Sequence, residues 1–189
     1  MKPVETQKFA SLLVLLQEKH YFCAMDKKAT YQLLAKQVES LIEGEHNPTG
    51  QLANVAALLH ETMGWWWTGF YLVKEGELQL GPFQGPVACY SIQCGRGVCG
   101  TAWQENRTIV VPDVELFPGH IACSSLSRSE IVVPLQDNEG NVMGVLDIDS
   151  KELATFDDED ARGLEAIARV IERHIFHPVN PVTPVNPEQ

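Results

Sequence analysis

Five cysteines stand at positions 23, 89, 94, 99 and 123, and four of them fall between 89 and 123. A thiol can act as a nucleophile, a metal ligand or a small buried hydrophobe, according to its surroundings. The odd count argues against a structural disulfide framework. No Cys-x-x-Cys pair occurs and the separations exceed those of a zinc knuckle, so structural zinc is a weak reading. Burial as a small hydrophobe is the commonest fate of a free cysteine, and it is the favoured reading for Cys23. Cys123 is different: it lies in a long polar loop, His120-Ile121-Ala122-Cys123-Ser124, where a reactive thiol is the better explanation. Cys99, in Gly97-Val98-Cys99-Gly100, falls near the start of a short predicted helix, whose dipole is expected to lower its pKa. Cys89 sits in Val87-Ala88-Cys89-Tyr90.

Three carboxylates accompany the thiols. Asp147 and Asp149 are two residues apart at the end of a core-like strand, so both point to one face if the strand reaches Asp149. Glu130 enters a second strand from the long loop. Carboxylates crowded together repel, so one of them is expected to hold a proton near neutral pH. Such a group can serve as a general acid, and its ionised neighbours can bind an ammonium group. A strand-end cap and a solvated turn would explain Asp147 equally well; the three acids together favour a site. Among the aromatics, alternation puts Trp67, Gly69 and Tyr71 on one face of a strand and Trp66 and Phe70 on the other. Phe70 reads as core. Trp67 beside a glycine could wall a pocket for an apolar or cationic group. The glycine-rich stretch 95–100 lacks the Gly-Lys-Ser/Thr ending of a phosphate loop and reads as a tight turn into a helix.

The elements that must position these residues follow from periodicity. Helical spacing runs through 28–43, with Leu33, Leu34, Val38, Leu41 and Ile42, and again through about 50–63. Strands are predicted at Trp65–Val73, Leu78–Phe83, Cys89–Ile92, Thr108–Val111, Ile131–Leu135 and Val142–Ile148. Glu75-Gly76-Glu77 and Asp137-Asn138-Glu139-Gly140-Asn141 are turn signals. A short helix covers Val98–Glu105. A long loop, 112–129, is the kind of segment that carries function. Thr155 and Asp157 are candidate caps for a last helix reaching about Phe176. The result is an α+β domain with a six-stranded, mainly antiparallel sheet and helices mostly on one face. Three parts follow: an N-terminal extension, 1–27, with an apolar helical run from Phe9 to Leu16; a domain, 28–176; and a tail, 177–189, that repeats Pro-Val-Asn-Pro and should be extended.

Composition narrows the function. The formal net charge of −11 makes the chain a poor binder of nucleic acid or of anionic membranes. No segment has the long apolar run of a membrane helix and no secretory signal is evident, so a cytoplasmic location is the expectation.

Several motifs occur in order: Trp67-Thr68-Gly69-Phe70-Tyr71-Leu72, Leu80-Gly81-Pro82-Phe83-Gln84-Gly85, Gly95-Arg96-Gly97-Val98-Cys99-Gly100-Thr101-Ala102, Gly119-His120-Ile121-Ala122-Cys123, Ser129-Glu130-Ile131-Val132-Val133-Pro134-Leu135 and Gly144-Val145-Leu146-Asp147-Ile148-Asp149-Ser150. Together they closely resemble the free methionine-(R)-sulfoxide reductases, a GAF-domain family, over roughly residues 28–176. The resemblance implies that Cys123 is the nucleophile, that Cys89 resolves its sulfenic acid by forming a disulfide, and that Cys99 is an accessory thiol. It implies that Glu130, Asp147 and Asp149 hold the substrate ammonium and supply a proton, with Trp67 and Tyr71 as pocket walls. It further implies reduction of the free R epimer, recycling by a thioredoxin-type dithiol, a homodimer, and no metal or organic cofactor. Cys94 is an additional thiol relative to that pattern. Two other readings compete: a GAF sensor that binds a small ligand without turnover, and a thiol redox switch.

Overall fold

A computed structural model describes residues 26–121 and 125–177. The expected N-terminal helix at Phe9 to Leu16, Cys23, Cys123 and the tail beyond His177 lie outside the described residues.

Helix α1 spans Lys27–Ile42; the Asp26 side chain caps it by accepting from the Lys28 N–H at 2.8 Å. Tyr31, Leu34, Val38 and Ile42 form its buried stripe. Helix α2, Pro48–Met63, begins with Asn47 as cap and proline in the first turn, where a missing N–H costs nothing. Strand β1, Trp67–Lys74, turns directly into β2, Glu77–Gln84. Lys74 pairs with Glu77 across a two-residue loop in which Glu75 and Gly76 both have positive φ, 53° and 81°. That is the turn whose twist matches a hairpin, and glycine at its second position removes half the strain. Strand β3 is short, Ser91–Ile92, and helix α3 follows at Gly97–Glu105. Strands β4, Ile109–Val111, β5, Ser129–Gln136, and β6, Val142–Ser150, complete the sheet. Helix α4, Asp158–Ile171, continues into a wider turn at Glu172–Phe176.

The six strands lie in the order β3-β2-β1-β6-β5-β4, and every neighbouring pair is antiparallel. Alternation along the strands divides the interior in two. Phe70, Ile131, Val133, Leu135, Leu146 and Ile148 point to the side covered by α1, α2 and α4. Trp67, Tyr71, Val111, Val132 and Val145 point to the other side, where α3 supplies Val98, Cys99 and Ala102. No helix among the described residues is long and apolar enough to cross a membrane.

Within the described residues the predicted elements are present, with local differences. Strand β1 starts at Trp67 rather than Trp65, and Trp65 instead packs on Phe156 in the helix-covered core. The strand expected from Cys89 is paired only at Ser91–Ile92, so Cys89 lies in an irregular segment before it. The expected loop 112–129 contains a 3-10 turn, Val114–Leu116, capped by Asp113, and ends one residue early because Ser129 already pairs with Ser150. Asp157 is the cap of α4 in a reciprocal capping box with Asp160; Thr155 bonds the Ser150 hydroxyl instead.

One buried cluster ties the helices together. The Asp160 carboxylate, 2% exposed, accepts from Lys27 Nζ at 2.5 Å, from the Tyr31 hydroxyl at 2.7 Å and from the Asp157 N–H at 2.8 Å. Removing the acid strands a buried phenol, whereas Lys27, partly exposed, keeps its ion pair with Asp157 at 2.9 Å. Asp160→Ala is therefore expected to lower unfolding free energy by about 1–3 kcal/mol, read as a shift in the urea midpoint; a change within error would mean the cluster contributes nothing net.

Candidate active site

The sheet register builds the site. Trp67 pairs with Asp149, Asp149 with Glu130, and Glu130 with Val111, which forms one row across β1, β6, β5 and β4. The next row runs Phe83, Gly69, Asp147, Val132 and Ile109. All three acids thus stand on the face away from α1, α2 and α4, two of them directly opposite each other. Strand β6 reaches Ser150, so the condition for Asp147 and Asp149 to share a face is met.

The acids and aromatics line one pocket with Cys99, Val98, Ile92, His120 and Ile121, and the segment Pro86–Ala88. Asp147 and Glu130 are each 6% exposed. Burial pushes the Glu130 carboxyl well above the usual range, and the neighbouring charges of Asp147 and Asp149 push it further. Asp147 is raised first by burial and then by Asp149. Asp149 is raised to about 6 by burial, moderated by the Ser127 hydroxyl that donates to its carboxylate. The Asp147 Oδ1 atom is buried without a hydrogen-bond partner. This set can retain protons at neutral pH and can accept a cationic group, the two properties expected of the three acids.

The thiols occupy distinct positions. The Cys99 sulfur is 3.8 Å from Glu130 Oε1, and both are buried. The helix-dipole expectation for Cys99 is overturned. Its thiol is pushed well up, first by burial and then by Asp147 and Glu130, because a buried thiol facing two carboxyls outweighs a helix end. Cys89 is disulfide-bonded, whereas Cys94 and Cys99 carry free thiols, the former exposed. Cys123 lies outside the described residues; His120 and Ile121 before it line the pocket.

Trp67 and Tyr71 are walls in a literal sense. The Trp67 ring stacks between Tyr71, at 6.1 Å, and Phe83, at 5.3 Å. It covers Gly69, where a Cβ would lie 2.5 Å from the ring. The Trp67 indole N–H donates to the Pro86 carbonyl at 3.0 Å and the Tyr71 hydroxyl donates to the Cys89 carbonyl at 3.1 Å. Two strand residues therefore hold the segment that carries Cys89 over the acids. Burial and the acids push the Tyr71 phenol up, so it remains a neutral donor. Burial pushes His120 down, towards the neutral imidazole.

Trp66 corrects the sequence reading. It precedes β1, so strict alternation does not govern it, and it lines the pocket rather than the Phe70 face, with the Lys151 ammonium 5.1 Å from its ring centre. Ser127 was not legible as a site residue either. It belongs to an irregular segment, and nothing in its local sequence points to Asp149.

A GAF-domain family model matches residues 47–175. The chain is 55% identical over 147 residues to GAF domain-containing protein A of Dictyostelium discoideum, covering 77% of this chain and 92% of that protein. It is 45% identical over 150 residues to the free methionine-R-sulfoxide reductase of Escherichia coli K12, covering 79% and 90%. The crystal structure of free methionine-R-sulfoxide reductase from Neisseria meningitidis in complex with its substrate matches with a TM-score of 0.77 at 53% identity, covering 80% of this chain and 91% of that one.

The raised acids have a stability signature. Because the folded state holds protons on Asp149 that the unfolded chain has released, the contribution of Asp149 to stability falls as pH rises from about 4 to about 6 and is constant above, while Glu130 and Asp147, raised further, continue the decline at higher pH. Asp149→Asn removes the charge and keeps the shape. It is expected to exceed the parent in stability by about 1–3 kcal/mol at pH 7 and by nothing near pH 4, measured by urea unfolding at both values. Equal effects at the two pH values would contradict the raised pKa.

Proposed function

We propose that this chain, which belongs to the GAF-domain family of free methionine-(R)-sulfoxide reductases, reduces free methionine-(R)-sulfoxide to methionine with its own thiols. The observation that carries this reading is the buried acid set, raised in proton affinity, beside a thiol in an aromatic-walled pocket. Oxygen leaves sulfur poorly unless it is protonated, so the reaction needs an acid next to a nucleophilic sulfur.

In this mechanism the substrate ammonium sits against the ionised member of the acid set. Trp67 and Trp66 wall the apolar part of the substrate. The Cys123 thiolate attacks the sulfoxide sulfur while a protonated carboxyl, Glu130 or Asp147, gives its proton to the sulfoxide oxygen. The protonated oxygen then passes to the Cys123 sulfur as the substrate S–O bond and the transient S–S bond both break, so methionine departs and Cys123 is left as the sulfenic acid. The Cys89 thiol condenses with it, forming a disulfide and releasing water. A thioredoxin-type dithiol then reduces the disulfide by exchange and is itself oxidised. The net change is one sulfoxide and one dithiol to methionine, one disulfide and water, with no metal or organic cofactor. The disulfide-bonded state of Cys89 supports its role as resolver, and the hydrogen bond from Tyr71 to its carbonyl supports the position. Cys99, between Glu130 and Asp147, is the accessory thiol. The cell compartment proposed is the cytoplasm, whose dithiol pool can close the cycle.

Incubation with dithiothreitol and each epimer of free methionine sulfoxide is expected to release methionine from the R epimer alone. Methionine no higher than background with both would reject the enzyme and leave the ligand sensor. Cys123→Ser is expected to abolish turnover with dithiothreitol, while Cys89→Ser largely keeps it, because a small thiol can reduce the sulfenic acid directly. Equal loss from both substitutions, compared by initial rate, would contradict the assigned roles.

A further inference from the structure

The Cys99 sulfur and one carboxylate oxygen from each of Glu130 and Asp147 lie within 4.8 Å of one another. A tetrahedral Zn²⁺, with sulfur at about 2.3 Å and oxygen at about 2.0 Å, sets a sulfur–oxygen edge of about 3.5 Å. The Cys99–Glu130 separation of 3.8 Å is already near that edge. The third ligand has an independent signature: Asp147 is 6% exposed, its Oδ1 has no hydrogen-bond partner, and the residue lines the pocket. An unsatisfied buried acceptor beside a thiol and a second carboxyl supplies the mixed sulfur and oxygen donors that a thiophilic cation takes.

We propose that Cys99, Glu130 and Asp147 form a binding site for a thiophilic divalent cation, Zn²⁺ or Cd²⁺. Binding forms one metal–sulfur and two metal–oxygen bonds, and the thiol and any protonated carboxyl release their protons to solvent; nothing is oxidised or reduced. Water completes the fourth position. A sulfur ligand and only three protein donors disfavour Mg²⁺ and Ca²⁺, which require more oxygen ligands. The site does not depend on the reductase reading. Where that reading also holds, the cation occupies the place of the substrate ammonium and competes with it.

The test uses the protein with its Cys89 disulfide intact and no added reductant. Among the described residues Cys94 and Cys99 then carry the free thiols. Cd²⁺ titration is read by the ultraviolet thiolate-to-cadmium absorption, and Zn²⁺ affinity by calorimetry. A single equivalent of Cd²⁺ is expected, with the band kept in Cys94→Ser and lost in Cys99→Ser. The near-isosteric Asp147→Asn, which leaves the thiol in place, is expected to weaken Zn²⁺ by on the order of a hundredfold or more, the loss of a direct ligand exceeding the usual effect of an indirect one. Absence of metal uptake, a band that survives Cys99→Ser, or Zn²⁺ affinity unchanged in Asp147→Asn would overturn the site. Failure of turnover with methionine sulfoxide would count against the reductase reading alone.

Discussion

The structure is organised around the burial of three carboxyl groups on one face of a sheet. Glu130 stands directly opposite Asp149, and Asp147 lies one row away on the central strand β6. Like charges opposite one another on adjacent strands repel, and an ionised carboxylate far from water is costly unless paired. No basic side chain pairs with the three acids among the hydrogen bonds and ion pairs of the described residues. The Ser127 hydroxyl satisfies Asp149, the Cys99 thiol approaches Glu130, and one oxygen of Asp147 has no partner. Burial raises the proton affinity of all three, and repulsion from the neighbouring acids raises that of Glu130 and Asp147 further.

That arrangement is tolerable because the two faces of the sheet have different tasks. The face under α1, α2 and α4 carries the large apolar side chains Phe70, Ile131, Leu135, Leu146 and Ile148, and supplies the hydrophobic stabilisation. The opposite face accepts the acids and the aromatic stack. The pleat keeps the two apart, since a slip of one residue would send the carboxyls into the apolar core. Gly69 shows how tightly the second face is fitted: the Trp67 ring lies where a side chain would be, and the ring's N–H then reaches the segment leading to Cys89.

Much of this was legible in the sequence for a physical reason. Period-two alternation in Trp67–Tyr71 and Val145–Asp149 survives into the fold because both segments are inner strands, where pairing on both sides enforces the pleat. The last helix was legible from Asp157 and its apolar stripe. The failures occur where tertiary contacts govern. Trp66 stands just before its strand and follows the pocket instead of the pleat. Cys99 was assigned a lowered pKa from a local feature, a helix end. Burial of the thiol first, and then Asp147 and Glu130, 48 and 31 positions further along, reverse that sign. Ser127 acquires its role only through the path of an irregular loop. The proposed substrate and nucleophile rest on resemblance, since thiols and acids sharing a face specify a kind of chemistry and no particular molecule.

The Asp160 cluster bears on how such a chain reaches its fold. Its partners Lys27 and Tyr31 lie 133 and 129 residues away in the sequence, at the start of the domain. During synthesis α1 emerges with its tyrosine and lysine ready, but the acid that receives them follows only 129 and 133 residues later. Without α4, α1 keeps its contacts with α2, and the apolar face of β5 that α4 covers is open to water. A chain cut before α4 would leave the Tyr31 hydroxyl without its acceptor and the apolar face of β5 uncovered.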